Sequence, residues 1–222
     1  MTRSLSSGCA GVDGCSKGWV VATRSGVEVV VAIGDVFGHG FEVVGIDMPI
    51  GMPADHARSS DRSARRFLSP RGSTIFPTPA RVCLGARDYA DACELSLAVC
   101  GKKISKQSWH ILPKIKEVDD AITPQHSGRV IEVHPECSFA EMNAGTALAS
   151  KHTPAGLAAR ASLIGAEFGE VPCRVTGAKR DDVLDAFAAL WTAERFALGQ
   201  HRVLPEDTEE FDDRGLPMRI VV

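Results

Sequence analysis

A chain of 222 residues with 44% hydrophobic content can bury a full core, and a single domain over residues 1–222 is the natural expectation. No apolar run approaches the roughly 18 residues that a membrane helix needs, and residues 1–7 lack a signal-peptide core, so no membrane partner and a cytoplasmic location are expected. A net charge of −3 removes any global pull towards nucleic acid and leaves such a partner to local basic patches.

In chain order, residues 8–12 read as a first strand, 19–24 as a second, and Ser25-Gly26 as a tight turn into a third over 27–33. Together they predict an antiparallel meander. The stretch Gly11-Val12-Asp13-Gly14-Cys15-Ser16-Lys17-Gly18-Trp19 puts a carboxylate at a strand end beside glycines that allow a ligand close approach. After a glycine-containing link, residues 42–46 form a fourth strand ending at Asp47, before Met48-Pro49-Ile50-Gly51. Asp13 and Asp47 converge if these two strands are neighbours running the same way; otherwise Asp47 simply caps the turn before Pro49.

Arg58, Arg62, Arg65 and Arg66 recur at the spacing of one helical face within residues 58–68. Such a face suits phosphate positioning or is a solvated surface. The proline-framed Phe76-Pro77-Thr78-Pro79 predicts a rigid loop. Residues 86–99 predict an amphipathic helix ended by Gly101, and Ser105 caps a following helix kinked near Pro113. Lys102, Lys103, Lys106, Gln107 and Trp109 either meet a nucleic-acid strand or frame a core tryptophan.

Residues 129–134 predict a fifth strand running on into Pro135-Glu136, with Glu132, His134 and Glu136 on one side. His134 is either structural or assists a metal or proton transfer. Thr153 caps a surface helix over 153–168 with Pro154 at its first position. The last strong signal is a helix over 179–198. Val183, Leu184, Phe187, Leu190 and Trp191 fill one side, while the side bearing Asp181, Asp182 and Asp185 continues with alanines, so both sides are expected to be covered. Like charges at these spacings repel unless a cation offsets them, which favours a divalent metal. Seven scattered cysteines, Cys173 among them, with no CxxC pair indicate free thiols rather than disulfides or a zinc site.

Several of these motifs together carry a resemblance. Gly11-Val12-Asp13-Gly14 with Lys17-Gly18-Trp19, Ile46-Asp47-Met48-Pro49-Ile50-Gly51, Asp61-Arg62 with Arg65-Arg66, Phe76-Pro77, Glu132-Val133-His134-Pro135-Glu136 and Lys179-Arg180-Asp181-Asp182-Val183-Leu184-Asp185-Ala186 resemble the prokaryotic family called domain of unknown function 429. The resemblance runs from about residue 8 to the C-terminus. Members are described as predicted nucleases with an RNase H-like fold, related to Holliday-junction resolvases of the RuvC type. It implies an α/β protein with a mixed five-stranded sheet, first three strands antiparallel, flanked by helices, with a helical and loop insertion around residues 52–125. It also implies that Asp13, Asp47, Asp182 and Asp185 hold Mg²⁺ or Mn²⁺, with Glu136 and Asp181 as further candidates. In resolvases the fourth-strand acid is usually glutamate, so the shorter Asp47 is a departure.

The chemistry expected on that basis is phosphodiester hydrolysis assisted by two metal ions, which calls for converging hard oxygen ligands. Lys17, Arg62, Arg66, Lys102 and Lys106 are the candidate phosphate contacts, nucleic acid is the expected partner, and the oligomeric state is open, a homodimer included. Two other readings stand beside it. An ATP-binding phosphotransferase or switch of the actin and hexokinase kind shares this topology, but such proteins duplicate the fold and this chain shows no internal repeat. A non-catalytic module that keeps the acidic cluster is the other.

Overall fold

The computed structural model describes residues 8–172 and 174–222. Cys173, counted above among the free thiols, and residues 1–7 lie outside them. In chain order the principal elements are β1 (Ala10–Cys15), β2 (Gly18–Thr23), β3 (Gly26–Val30), α1 (Ile33–Gly38), β4 (Val44–Ile46), α2 (Ser59–Phe67), α3 (Tyr89–Cys100), α4 (Lys106–Ala121), β5 (Val130–Glu132), α5 (Pro135–Met142), α6 (Pro154–Phe168) and α7 (Arg180–Ala197). They belong to two compact units. One comprises the described part of Met1–Met48 with Gly128–Arg202 and Val221–Val222; the other comprises Pro49–Ser127 and Val203–Ile220.

The first unit is an α/β layer built on a five-stranded mixed sheet in the order β3-β2-β1-β4-β5. β1, β2 and β3 form the expected antiparallel meander, and β4 and β5 run parallel to β1. Apolar residues of β2 on one face, Val20 and Ala22, pack with Val183, Leu184, Ala186, Phe187 and Leu190 of α7 and with Phe139 of α5 and Ile164 of α6. Burying such side chains contributes roughly 1.5–3 kcal/mol each, enough to make this layer the unit's core. On the same face, Ile131 and Val133 pack with Ala189 and Ala193.

Two glycines allow α7 to lie against the strands. A Cβ on Gly11 would sit 2.0 Å from the Ala186 carbonyl oxygen and 2.1 Å from the Leu190 nitrogen, and one on Gly45 would sit 2.5 Å from the Ala189 oxygen. The helix backbone therefore occupies the space that side chains on β1 and β4 would fill. α7 is buried on both sides, as its alanine-rich acidic face predicts: Asp185, Ala186, Ala188 and Ala189 are as inaccessible as Val183, Leu184, Phe187 and Leu190. Trp191 is only half-buried, with the Arg195 guanidinium 4.6 Å above its ring.

Three strands differ from the sequence expectation. The first, expected over 8–12, runs on to Cys15 because Asp13, Gly14 and Cys15 pair with Val20, Trp19 and Gly18 of β2, so Asp13 lies inside the strand. The third strand stops at Val30, and Ile33 opens α1 instead of prolonging the strand; Val31 is left exposed while Ile33, Val36 and Phe37 turn inward. The fifth strand stops at Glu132, since His134 is the N-cap of α5 and Pro135 its first residue. Proline has no N–H to donate to a ladder, and its fixed φ suits a first helical turn, so Glu136 belongs to a helix and not to a strand face. α6 begins as predicted, with the Thr153 hydroxyl accepting from the Gly156 N–H at 3.1 Å.

In the second unit α3 ends at Gly101, whose φ of 67° is the left-handed conformation glycine adopts freely. Ser105 caps α4 by accepting from the Ser108 N–H at 3.0 Å, and α4 continues through Pro113. Trp109 is half-buried against Tyr89 and the cluster of Ala80, Cys83, Ala92, Cys93 and Leu112, the core reading of that residue. Among the described residues no helix is long and apolar enough to cross a membrane.

Candidate metal centre

Backbone register brings the first two carboxylates together. Val12 of β1 pairs with Ile46 of β4 in parallel, and the Asp47 N–H donates to the Val12 carbonyl at 2.9 Å, so Asp13 and Asp47 lie side by side at the same level. Side chains two residues apart share a face, so Asp13 follows Gly11 and Asp47 follows Gly45 on the side covered by α7. The third carboxylate comes from the helix. Asp185 immediately precedes Ala186, the residue whose carbonyl lies over Gly11, and it faces the strand ends.

One carboxylate oxygen each from Asp13, Asp47 and Asp185 lie within 4.8 Å of one another. The short Asp47 side chain, whose reach was a departure from the resolvase pattern, does enter the cluster. Asp13 and Asp185 are 8% and 2% exposed, so water cannot disperse their charge. Asp13 Oδ1 accepts from the Gly14 N–H at 2.7 Å. The Lys151 ammonium, from the α5–α6 connection, donates to Asp185 Oδ2 at 2.6 Å and lies 3.8 Å from Asp181 Oδ2. Asp185 Oδ1 is buried and has no hydrogen-bond partner among the described residues.

The electrostatics follow from burial and crowding. Burial first, then the charges of Asp47, Asp185 and Asp182, hold the Asp13 carboxyl well above the ordinary carboxylate range, with Lys151 pulling the other way. Asp47 is pushed up to about 8 by burial and by Asp185, Glu132 and Glu136, against Lys151. Burial also raises Asp185 to about 6, with Glu136 and Asp181 adding to it, although the ion pair with Lys151 opposes the rise. For Lys151, burial disfavours the charge, but Asp185, Asp47 and Asp13 outweigh it and hold the ammonium above its usual range.

Of the remaining candidates, Asp181, Asp182 and Glu136 border the triad but are held by other partners. Asp182, expected beside Asp185 as a ligand, instead accepts the Lys179 N–H at 2.8 Å and so caps the first turn of α7. Asp181 faces Lys151. Glu136 is held by both its oxygens on Arg160 Nη2, at 2.7 and 2.6 Å. Lys17 is exposed on the β1–β2 turn. In the second unit Arg62, Arg66, Lys102 and Lys106 are exposed, but Arg58 is not part of a free basic face: it is 1% exposed and donates to Asp61 at 2.6 Å and to the Ile50 carbonyl at 3.0 Å. Arg62 donates to the Ala57 carbonyl and Arg65 to that of Ile75.

Lys151 was not legible in the sequence, where it stands alone in a short polar connection. Arg160 was missed too, because 153–168 was read as a surface helix; the signal that could have found it is the i, i+4, i+8 spacing of Gly156, Arg160 and Ile164, which the structure buries.

Fold and site together define an α/β protein with a mixed five-stranded sheet and a buried aspartate triad where the parallel pairing of β1 and β4 ends. The sequence profile described as "Protein of unknown function (DUF429)" matches residues 11–210, and the chain belongs to that family. Neither a curated protein nor a solved structure matches it.

Proposed function

We propose that this protein is a metal-dependent nuclease with an RNase H-like arrangement, hydrolysing phosphodiester bonds of nucleic acid. The observation that carries the proposal is the convergence of Asp13, Asp47 and Asp185 to within 4.8 Å. Three mutually repelling carboxylates cost stability that the single Lys151 ammonium only partly offsets, since Asp47 and Asp185 stay raised despite it. The donor set fits Mg²⁺ or Mn²⁺, since all three ligands are hard oxygens, and Asp185 Oδ1 offers a ligand position that has no hydrogen-bond partner among the described residues. A divalent ion bound there supplies Lewis acidity at the scissile phosphate and lowers the pKa of water.

The chain's own residues divide the remaining work. Asp13, with one oxygen fixed by the Gly14 N–H, keeps its orientation in the cluster. Asp182 holds the helix terminus from which Asp185 projects. Lys17, exposed on the β1–β2 turn of the unit that carries the triad, supplies a charged donor for a backbone phosphate.

Cleavage of labelled single-stranded, hybrid and branched substrates in Mn²⁺ tests the reading. The wild type cleaves at least one of them, Asp13→Asn and Asp185→Asn lose activity by at least about a hundredfold with unchanged circular dichroism, and Asp182→Asn, whose amide oxygen still accepts from Lys179, keeps most of it. Undiminished cleavage by Asp13→Asn would refute the assignment.

A further inference from the structure

Lys151 is held with more support than a surface lysine receives. The buried Arg160 donates through Nη1 to the Ala149 carbonyl at 2.8 Å and to the Gly156 carbonyl at 2.8 Å, while its Nη2 is clamped on Glu136 of α5. The Thr153 hydroxyl donates to the Ser150 carbonyl at 2.8 Å. A Cβ on Gly156 would lie 2.1 Å from that same Ser150 oxygen, so the connection packs directly onto the first turn of α6. The carbonyls of both residues preceding Lys151 are thereby tied to α6 and, through Glu136, to α5. An exposed lysine–carboxylate pair is worth about 0–1 kcal/mol and is loosely held, so this bracing is out of proportion to an ordinary surface ion pair.

We propose that the Lys151 ammonium is a built-in cation of the carboxylate cluster, standing where a second metal ion would otherwise bind, so that the site takes one divalent ion per chain. This rests on the metal-centre reading above. Asp185 divides its two oxygens accordingly: Oδ2 is taken by Lys151, and Oδ1 is left for an ion. The ammonium acts on all three members of the cluster, since the charges of Asp47 and Asp13 as well as Asp185 bear on it.

The test is the stoichiometry of Mn²⁺ alone, by isothermal titration calorimetry and by electron paramagnetic resonance of the unbound ion, on full-length wild type, Lys151→Met and Lys151→Arg. The wild type and Lys151→Arg are expected to bind one ion per chain and Lys151→Met two, with circular dichroism reporting the fold of each. Two ions on the wild type would overturn the inference while supporting the metal centre, and that measurement decides even if Lys151→Met does not fold. A folded Lys151→Met that still binds one ion overturns it too. No binding to the wild type at millimolar Mn²⁺ removes the metal centre itself and this inference with it.

Discussion

Asp47, like Asp13, sits in surroundings that oppose its charge. It ends a three-residue strand, and with burial, Asp185, Glu132 and Glu136 around it, its carboxyl titrates at about 8. In the metal-free protein, the folded state keeps protons on Asp13, Asp47 and Asp185 that the unfolded chain releases above about pH 4. Folded pKa values above the unfolded ones mean that this contribution to stability is fully present below about pH 4. It is lost as pH rises, through the Asp185 value of about 6 and on through the Asp47 value of about 8. The melting temperature in EDTA should therefore fall between pH 5 and pH 8.5, and Mn²⁺ should flatten the fall. Asp47→Asn should raise the metal-free melting temperature at pH 8 by a few degrees, on the order of 1–2 kcal/mol, and remove the Mn²⁺ effect. A metal-free melting temperature that rises with pH would contradict this account.

At the scale of the element, the late helix owes its position to what β1 and β4 lack. The glycines of the N-terminal stretch suggested room for a ligand, but Gly11 makes room for the backbone of α7, and a Cβ on Gly18 would meet the Val30 carbonyl of β3 at 2.0 Å. Gly11→Ala should force α7 from the sheet. It is expected to cost roughly 2–3 kcal/mol or more and to weaken Mn²⁺ binding without touching a ligand. Gly165→Ala, in α6 with open space at its Cβ, is the control and should stabilise by about 0.5–1 kcal/mol. Thermal unfolding and Mn²⁺ titration of both variants distinguish the two positions; equal behaviour would mean that the close approach does not set the helix. The element that escaped notice, α5, shows how local signals compete. Glu132, His134 and Glu136 alternate like a strand, yet Pro135 is a helix-start residue, and its missing N–H decides for the helix.

For the whole molecule, each unit is closed by segments distant in sequence. In the second, Asp212 accepts from the Met52 N–H at 3.1 Å and the Leu216 N–H at 2.8 Å and pairs with Arg81, which also donates to Asp119 at 2.6 Å. It joins Pro49–Ser127 to Val203–Ile220. Removing one partner of a buried ionic network leaves the others unpaired, so Asp212→Ala should destabilise by about 3–5 kcal/mol and expose the Met52 and Leu216 amides to hydrogen exchange. Retained protection at both amides would show that the network is dispensable.

That the first unit has five strands, their antiparallel start, the stop of α3 at Gly101, the capping of α4 and α6, and the carboxylates that follow Val12 and Ile46 were legible from the sequence, though not the bounds of the first, third and fifth strands. They rest on period-2 alternation, turn residues and cap chemistry, which act over a few residues. Which aspartate of α7 enters the cluster was not legible. Successive helical residues point about 100° apart, and only the seating of α7 on Gly11 and Gly45 turns Asp185 to the strand ends and Asp182 to its own N-terminus. The same holds for Lys151 and Arg58, whose partners are set by packing: one lysine in a polar connection becomes the counter-charge of the triad, and one arginine of a regular basic series is buried on Asp61. A side chain's charge is written in the chain, but whether it meets water or another charge is decided by the elements that fold over it.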